Sequence, residues 1–159
     1  MKECPEQDDK GLARNWSGFN NIGICAVAIL SVLQKVTYLS LPKTMLIMPL
    51  AMHESTLRFL AKGNVRERKV AAFVSMNPEF VANFDKRYRE SLGTTLNAIQ
   101  LLIELGHVRF DGQLLLVKEL LVDDTFGKQA QLMVRAAKNI AALLSSDDDE
   151  LYLNFRVKL

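Results

Sequence analysis

Between Asn77 and Val117 the chain is punctuated closely enough to leave few folds open: a Pro-started helix, a Gly, a second helix closed by another Gly, then Asp-Gly between apolar runs. Asn77 can cap a helix whose first residue is Pro78, where the missing N–H costs nothing, and Glu79 lies near the positive end of its dipole. Phe80, Phe84 and Tyr88 follow at i, i+4 and i+8 and give that helix one buried stripe. Gly93 breaks it and Thr94 or Thr95 caps the next. Leu96, Ile99, Leu101, Leu102, Ile103 and Leu105 make the second helix apolar over most of its circumference, which predicts burial on several sides. Gly106 stops it in a left-handed conformation. Val108-Arg109-Phe110 and Gln113 to Val117 then flank Asp111-Gly112, the signal of a two-residue type I′ hairpin. Helix, helix, hairpin is the order of a winged helix-turn-helix.

A DNA-reading version of this motif lays its second helix in the major groove with polar and basic side chains on the bases and phosphates. Here the polar strip is Asn97, Gln100 and Glu104, with no Lys or Arg between Thr94 and Gly106. That disfavours a stand-alone winged-helix DNA-binding regulator, the alternative reading of the motif. Asn97 and Gln100 are instead candidates for a partner interface.

Upstream, Asn20 or Asn21 starts a helix through Ile24, Val27, Ile29, Leu33 and Val36; a Leu41-Pro42 break follows, then an apolar run from Met45 to Met52 whose type Pro49 leaves open. Met45, Met48 and Met52 at helical spacing make either an adaptable partner surface or core filling. Arg66, Arg68 and Lys69, with Lys86, Arg87 and Arg89, form the one basic concentration, fit to track a phosphate backbone or an acidic partner. Gly127 to Leu144 reads as an amphipathic helix with Met133, Ala136, Ala137 and Ile140 inward and Lys128, Arg135 and Lys138 outward. Ser145 to Glu150 reads as an acidic linker. Leu151, Leu153, Phe155, Val157 and Leu159 alternate with polar residues, the period of a half-buried strand that joins the wing or is donated to another protein's sheet; Leu153 and Phe155 are candidate partner contacts.

The expected fold is therefore mainly α with a small β element. A winged-helix-like core follows an apolar helical N-terminal half and precedes a C-terminal helix and strand. Residues 1–14 read as a tail, 15–144 as one globular domain and 145–159 as linker and strand. At 159 residues and 49% hydrophobic content there is enough for a core, and 20 basic against 18 acidic residues is too balanced to mark a dedicated nucleic-acid binder. Cys4 and Cys25 sit in unlike settings, and acidic residues fill the place of a leader's basic and apolar regions; both point to the cytoplasm. The apolar runs are too short and too interrupted to span a membrane. His53 and His107 lack metal-ligand spacing, and no phosphate loop, nucleophile elbow or Cys-x-x-Cys pair occurs, so neither a cofactor nor catalysis is expected.

The sequence of elements also carries a resemblance. Phe19-Asn20-Asn21-Ile22-Gly23, the run from Leu41-Pro42 to His53, Asn77-Pro78 with Phe84 and Arg87, Thr95-Leu96-Asn97-Ala98-Ile99, Gly106 and Asp111-Gly112 together resemble the middle component of prokaryotic three-component ABC systems. Within that group they resemble most the small third subunits of Lamassu-type anti-phage complexes. The likeness runs from about Asn15 to Val117 and leaves Ser145 to Leu159 unmatched. It implies an accessory subunit that bridges an SMC- or Rad50-like coiled-coil ATPase, which detects DNA, and an effector, commonly a nuclease. DNA would be met through the assembled complex. The resemblance brings no catalytic residues.

Overall fold

The computed structural model describes residues 21–62 and 69–159. They form eight α-helices, α1 (Ile22–Val36), α2 (Leu41–Ala51), α3 (Glu54–Leu60), α4 (Val70–Met76), α5 (Pro78–Val81), α6 (Phe84–Glu104), α7 (Gly127–Leu143) and α8 (Asp148–Asn154), a short 3-10 helix at Asp124–Phe126, and three strands, β1 (Tyr38–Leu39), β2 (Val108–Phe110) and β3 (Leu114–Leu116). The architecture is mainly helical with a small antiparallel sheet. Among the described residues no helix is long and apolar enough to cross a membrane.

The apolar N-terminal helices are the centre of the core. Asn21 caps α1, its side-chain oxygen accepting the Ile24 N–H at 3.0 Å, and every residue from Cys25 to Leu33 is buried. Ser40 caps α2 with Pro42 in its first turn, and Thr44 to Ala51 are all buried. Helices apolar all round are buried all round, and α1 and α2 each lie against both α6 and α7. Pro49 stands inside α2 without ending it. Leu30, Leu33, Leu46, Ile47 and Leu50 are among the fully buried side chains; each contributes about 1.5–3 kcal/mol through its removal from water.

The helix break expected at Gly93 is absent. α6 runs unbroken for 21 residues through it, and the break falls earlier, at Asn83, whose φ of 57° is left-handed. The Pro78 helix is accordingly one turn long. Asn77 precedes it without a side-chain cap, donating instead to the Phe73 carbonyl at 3.0 Å. Thr94 and Thr95, which look like a cap, are buried within α6 together with Ser91; the Thr95 hydroxyl donates to the Ser91 carbonyl at 2.8 Å and the Ser91 hydroxyl to the Tyr88 carbonyl at 2.9 Å. Small side chains that satisfy their own hydroxyls against the helix backbone allow α1 and α2 to lie against α6, and that burial overrides the helix-breaking tendency of Gly93. A glycine there still weakens the helix by roughly 0.5–1 kcal/mol relative to alanine.

Gly106 closes α6 as expected. Its φ is 74°, and the N–H groups of Gly106 and His107 donate to the Ile103 and Leu102 carbonyls, a Schellman arrangement. β2 and β3 follow as a hairpin with Phe110 opposite Leu114, so its loop is three residues, Asp111 to Gln113, and only Gly112 takes a positive φ. The third strand is β1, from the α1–α2 connection, pairing Tyr38 with Leu115 and Leu39 with Leu114 in the order β1-β3-β2.

The C-terminal strand is also absent. Asp148, Asp149 and Glu150 occupy the first turn of α8, where the positive dipole end favours them. Leu151 and Phe155, one helical turn apart, are fully buried while Leu153 is 79% exposed. α8 lies against α4, so residues 148–155 belong to the same body as the rest. The expected tail at 1–14 lies outside the described residues.

Candidate partner interface

Four residues of the expected basic group, Lys69, Lys86, Arg87 and Arg89, lie among the described residues, and of these Arg87 leaves the surface. Arg66 and Arg68 lie outside the described residues, and Lys69 is exposed just before α4. Arg87 points inward: it follows Phe84 by three positions and precedes Tyr88 by one, inside the buried stripe, and is only 8% exposed. Its Nη2 donates to the Phe80 and Ala82 carbonyls at 2.5 and 3.4 Å, capping the end of α5, and its guanidinium carbon lies 5.4 Å from the Phe84 ring centre. Burial lowers its pKa, and Nε and Nη1 are buried without a hydrogen-bond partner. Lys86 and Arg89 are exposed on α6 but held by carboxylates one turn away. Lys86 meets Glu90 at 3.8 Å; Arg89 meets Asp85 at 3.1 Å and also donates to the Lys158 carbonyl at 2.7 Å. The Asp85 carboxyl is held below the usual range, first by the Lys158 backbone N–H that it accepts at 2.8 Å.

The methionine stripe is divided in the same way. Met48 is fully buried and Met45 8% exposed, so both fill the core, Met45 at the floor of a groove of about 450 Å³ beside Tyr88 and Tyr152. Met52 is half-buried at the edge of a second cavity of about 540 Å³, walled by α1, α3 and α7. Of the C-terminal pair, Leu153 is on the surface and Phe155 is in the core.

Polar groups elsewhere join elements of the fold. The Cys25 thiol reaches the Thr95 hydroxyl at 4.0 Å across the α1–α6 contact, and burial pushes its pKa up to about 12, which keeps it an unreactive thiol. The two tyrosine hydroxyls of Tyr88 and Tyr152 lie 3.2 Å apart, and Tyr152 also donates to the Pro42 carbonyl; burial and Tyr88 raise its pKa. His53 Nδ1 meets the Thr56 hydroxyl at 2.7 Å, and His107 Nδ1 the Lys118 carbonyl at 3.0 Å. Asn139 of α7 donates to the Leu60 and Lys62 carbonyls at the end of α3.

Among the described surfaces left open to a partner, which include exposed Met76, Val117 and Leu121 elsewhere, is the outer side of α6. Asn97 and Gln100 are exposed there with Leu96, 50% exposed, and Ile103, 40% exposed. Burial on several sides, expected for this helix, holds only for the side carrying Ala98, Ile99 and Leu102. The exposed leucine and isoleucine are what sequence reasoning missed; they stand at i and i+7 on the face of the polar residues, so a helical wheel places them together.

A family model described as the ABC-three component (ABC-3C) system Middle Component 3 matches residues 17–159. The chain belongs to this family. The match takes in the C-terminal segment that the resemblance drawn from sequence alone left out, in keeping with the docking of α8 on the body. No curated protein and no solved structure matches the chain. A middle component of a three-component system has partner subunits, and the outer side of α6 is one part of this middle component that the described fold leaves uncovered.

Proposed function

We propose that this middle component is a non-catalytic subunit that bridges an SMC-like coiled-coil ATPase to an effector, commonly a nuclease, in a cytoplasmic complex of the Lamassu anti-phage or anti-plasmid type. The observation that carries this reading is the family match over residues 17–159, which spans all the described elements. Two features support it. The buried titratable side chains cap helix ends or join helices, with Arg87 on the α5 carbonyls and Cys25 against Thr95. The helix–hairpin unit α5–α6–β2–β3, read as a wing-like module, offers amide and apolar groups and no cation on the outer side of α6 from Gly93 to its end. Such a side suits a protein partner better than a phosphate backbone.

Purification of the tagged chain from its native host tests the proposal. A coiled-coil ATPase and a second, different subunit in the eluate are the expected result, and with the tag moved to the ATPase the second subunit should no longer co-purify once this chain is deleted. A monodisperse chain that binds a specific DNA sequence without either subunit would overturn it.

A further inference from the structure

Gly93, Leu96, Asn97, Gln100, Ile103 and Glu104 recur at i, i+3, i+4, i+7, i+10 and i+11 along α6, one side of a helix, and all six are exposed. Several of these residues are unfavourable for this chain alone. Gly93 weakens α6 from its middle, yet a Cβ there would meet nothing within 4 Å, so no neighbour in the described fold requires the missing side chain. Leu96 and Ile103 remain in water. Glu104 sets a negative charge on the last residue of α6, at the negative end of the dipole. Among the described residues its side chain meets the neutral Gln100 amide at 3.2 Å and no cation. Local rules broken together on one face, without an internal gain, mark a surface shaped by something outside the chain.

We propose that this face seats an α-helix of a partner subunit, uncharged where it meets Leu96 and Ile103 and carrying a Lys or Arg opposite Glu104. The inference rests on the bridging role proposed above. Charge selects the occupant. α6 has no cation from Gly93 to its end, and Glu104 adds to the negative dipole end, so the face repels a phosphate backbone and favours a basic side chain. In the first two turns Lys86–Glu90 and Arg89–Asp85 close their charges within the helix, which leaves the later turns as the stretch fit for apolar contact. The absent side chain at Gly93 lets the partner helix come close at the crossing.

The test uses the full-length chain expressed with its partner subunits from the native locus. The photo-crosslinking residue p-benzoylphenylalanine replaces Leu96, Ile103 or, as a control, Lys138 on the exposed side of α7. Crosslinks from positions 96 and 103 to a partner subunit, and none from 138, are expected. Gly93→Leu should reduce capture of that partner at least tenfold without lowering the melting temperature, and Glu104→Lys should reduce it more than Glu104→Gln. A complex that assembles but crosslinks only through position 138, a crosslink to a second copy of this chain, or Gly93→Leu with unchanged capture would overturn this inference and leave the bridging role standing. A chain that captures no subunit at all would overturn both.

Discussion

Phe155 lies flat on Phe84, with ring centres 4.5 Å apart and planes 9° from parallel. The stack ties the end of α8 to the start of α6, and both rings are fully buried. Phe155→Ala should therefore destabilise the chain by about 3–5 kcal/mol. Leu153→Ala, at a side chain 79% exposed, should stay within about 0.5 kcal/mol of the unaltered protein. Urea unfolding of the two variants checks both values, and equal losses would restore the alternating strand.

Continuity of α6 through Gly93 makes a prediction of opposite sign. With φ in the helical range and open space around the absent Cβ, Gly93→Ala should raise stability by about 1 kcal/mol. A helix broken at this point would lose stability on the same change. Thermal unfolding of the isolated chain distinguishes the two.

The N-terminus of α2 and the start of α8 are joined through one side chain. Asp148 accepts from the Ser40 hydroxyl at 3.1 Å and lies 3.9 Å from Lys43 Nζ, while the Ser40 oxygen accepts the Lys43 N–H. Ser40→Ala should cost about 1 kcal/mol as a lost cap. Because Asp148→Ala removes part of the same network, the double variant should lose less than the sum of the two, with a coupling of at least about 0.5 kcal/mol in a double-mutant cycle.

Burial lowers the pKa of His53, and the positive charge of Arg87 lowers it further. The unfolded chain, with an ordinary histidine near 6.5, then takes up the proton before the folded one. His53 thus adds stability in full above about pH 6.5, lost as pH falls from there towards the folded pKa. The ring resonances should titrate below the range of a free histidine, and His53→Asn should flatten the decline in stability over that interval relative to the unaltered chain. A His53 that titrates at or above 6.5 would remove the effect.

Features decided within a few residues were legible in the sequence. Asn21 capping an apolar run, Gly106 ending α6 and the period of α7 need only local geometry. The misreadings came where packing chose between two local options. Gly93 with Thr94 and Thr95 reads equally as a turn and cap or as a thin helix face, and contact with α1 and α2 selected the second. In Leu151 to Leu159 the two-residue period competed with the acidic start Asp148-Asp149-Glu150 and the four-residue spacing of Leu151 and Phe155; the fit of Phe155 onto Phe84 decided for the helix. Arg87 reads as one of a charged group by composition, whereas its position relative to Phe84 and Tyr88 turns it inward.

The two-residue strand β1 changes what the hairpin can do. It arises from the connection between α1 and α2, the helices with the longest buried runs, and it pairs with β3. A hairpin attached only at its own base could swing like a flap. This one is stitched to the joint of the core, so a pull on β2 and β3 is a load on α1 and α2, and a subunit that grips the hairpin takes hold of the whole body.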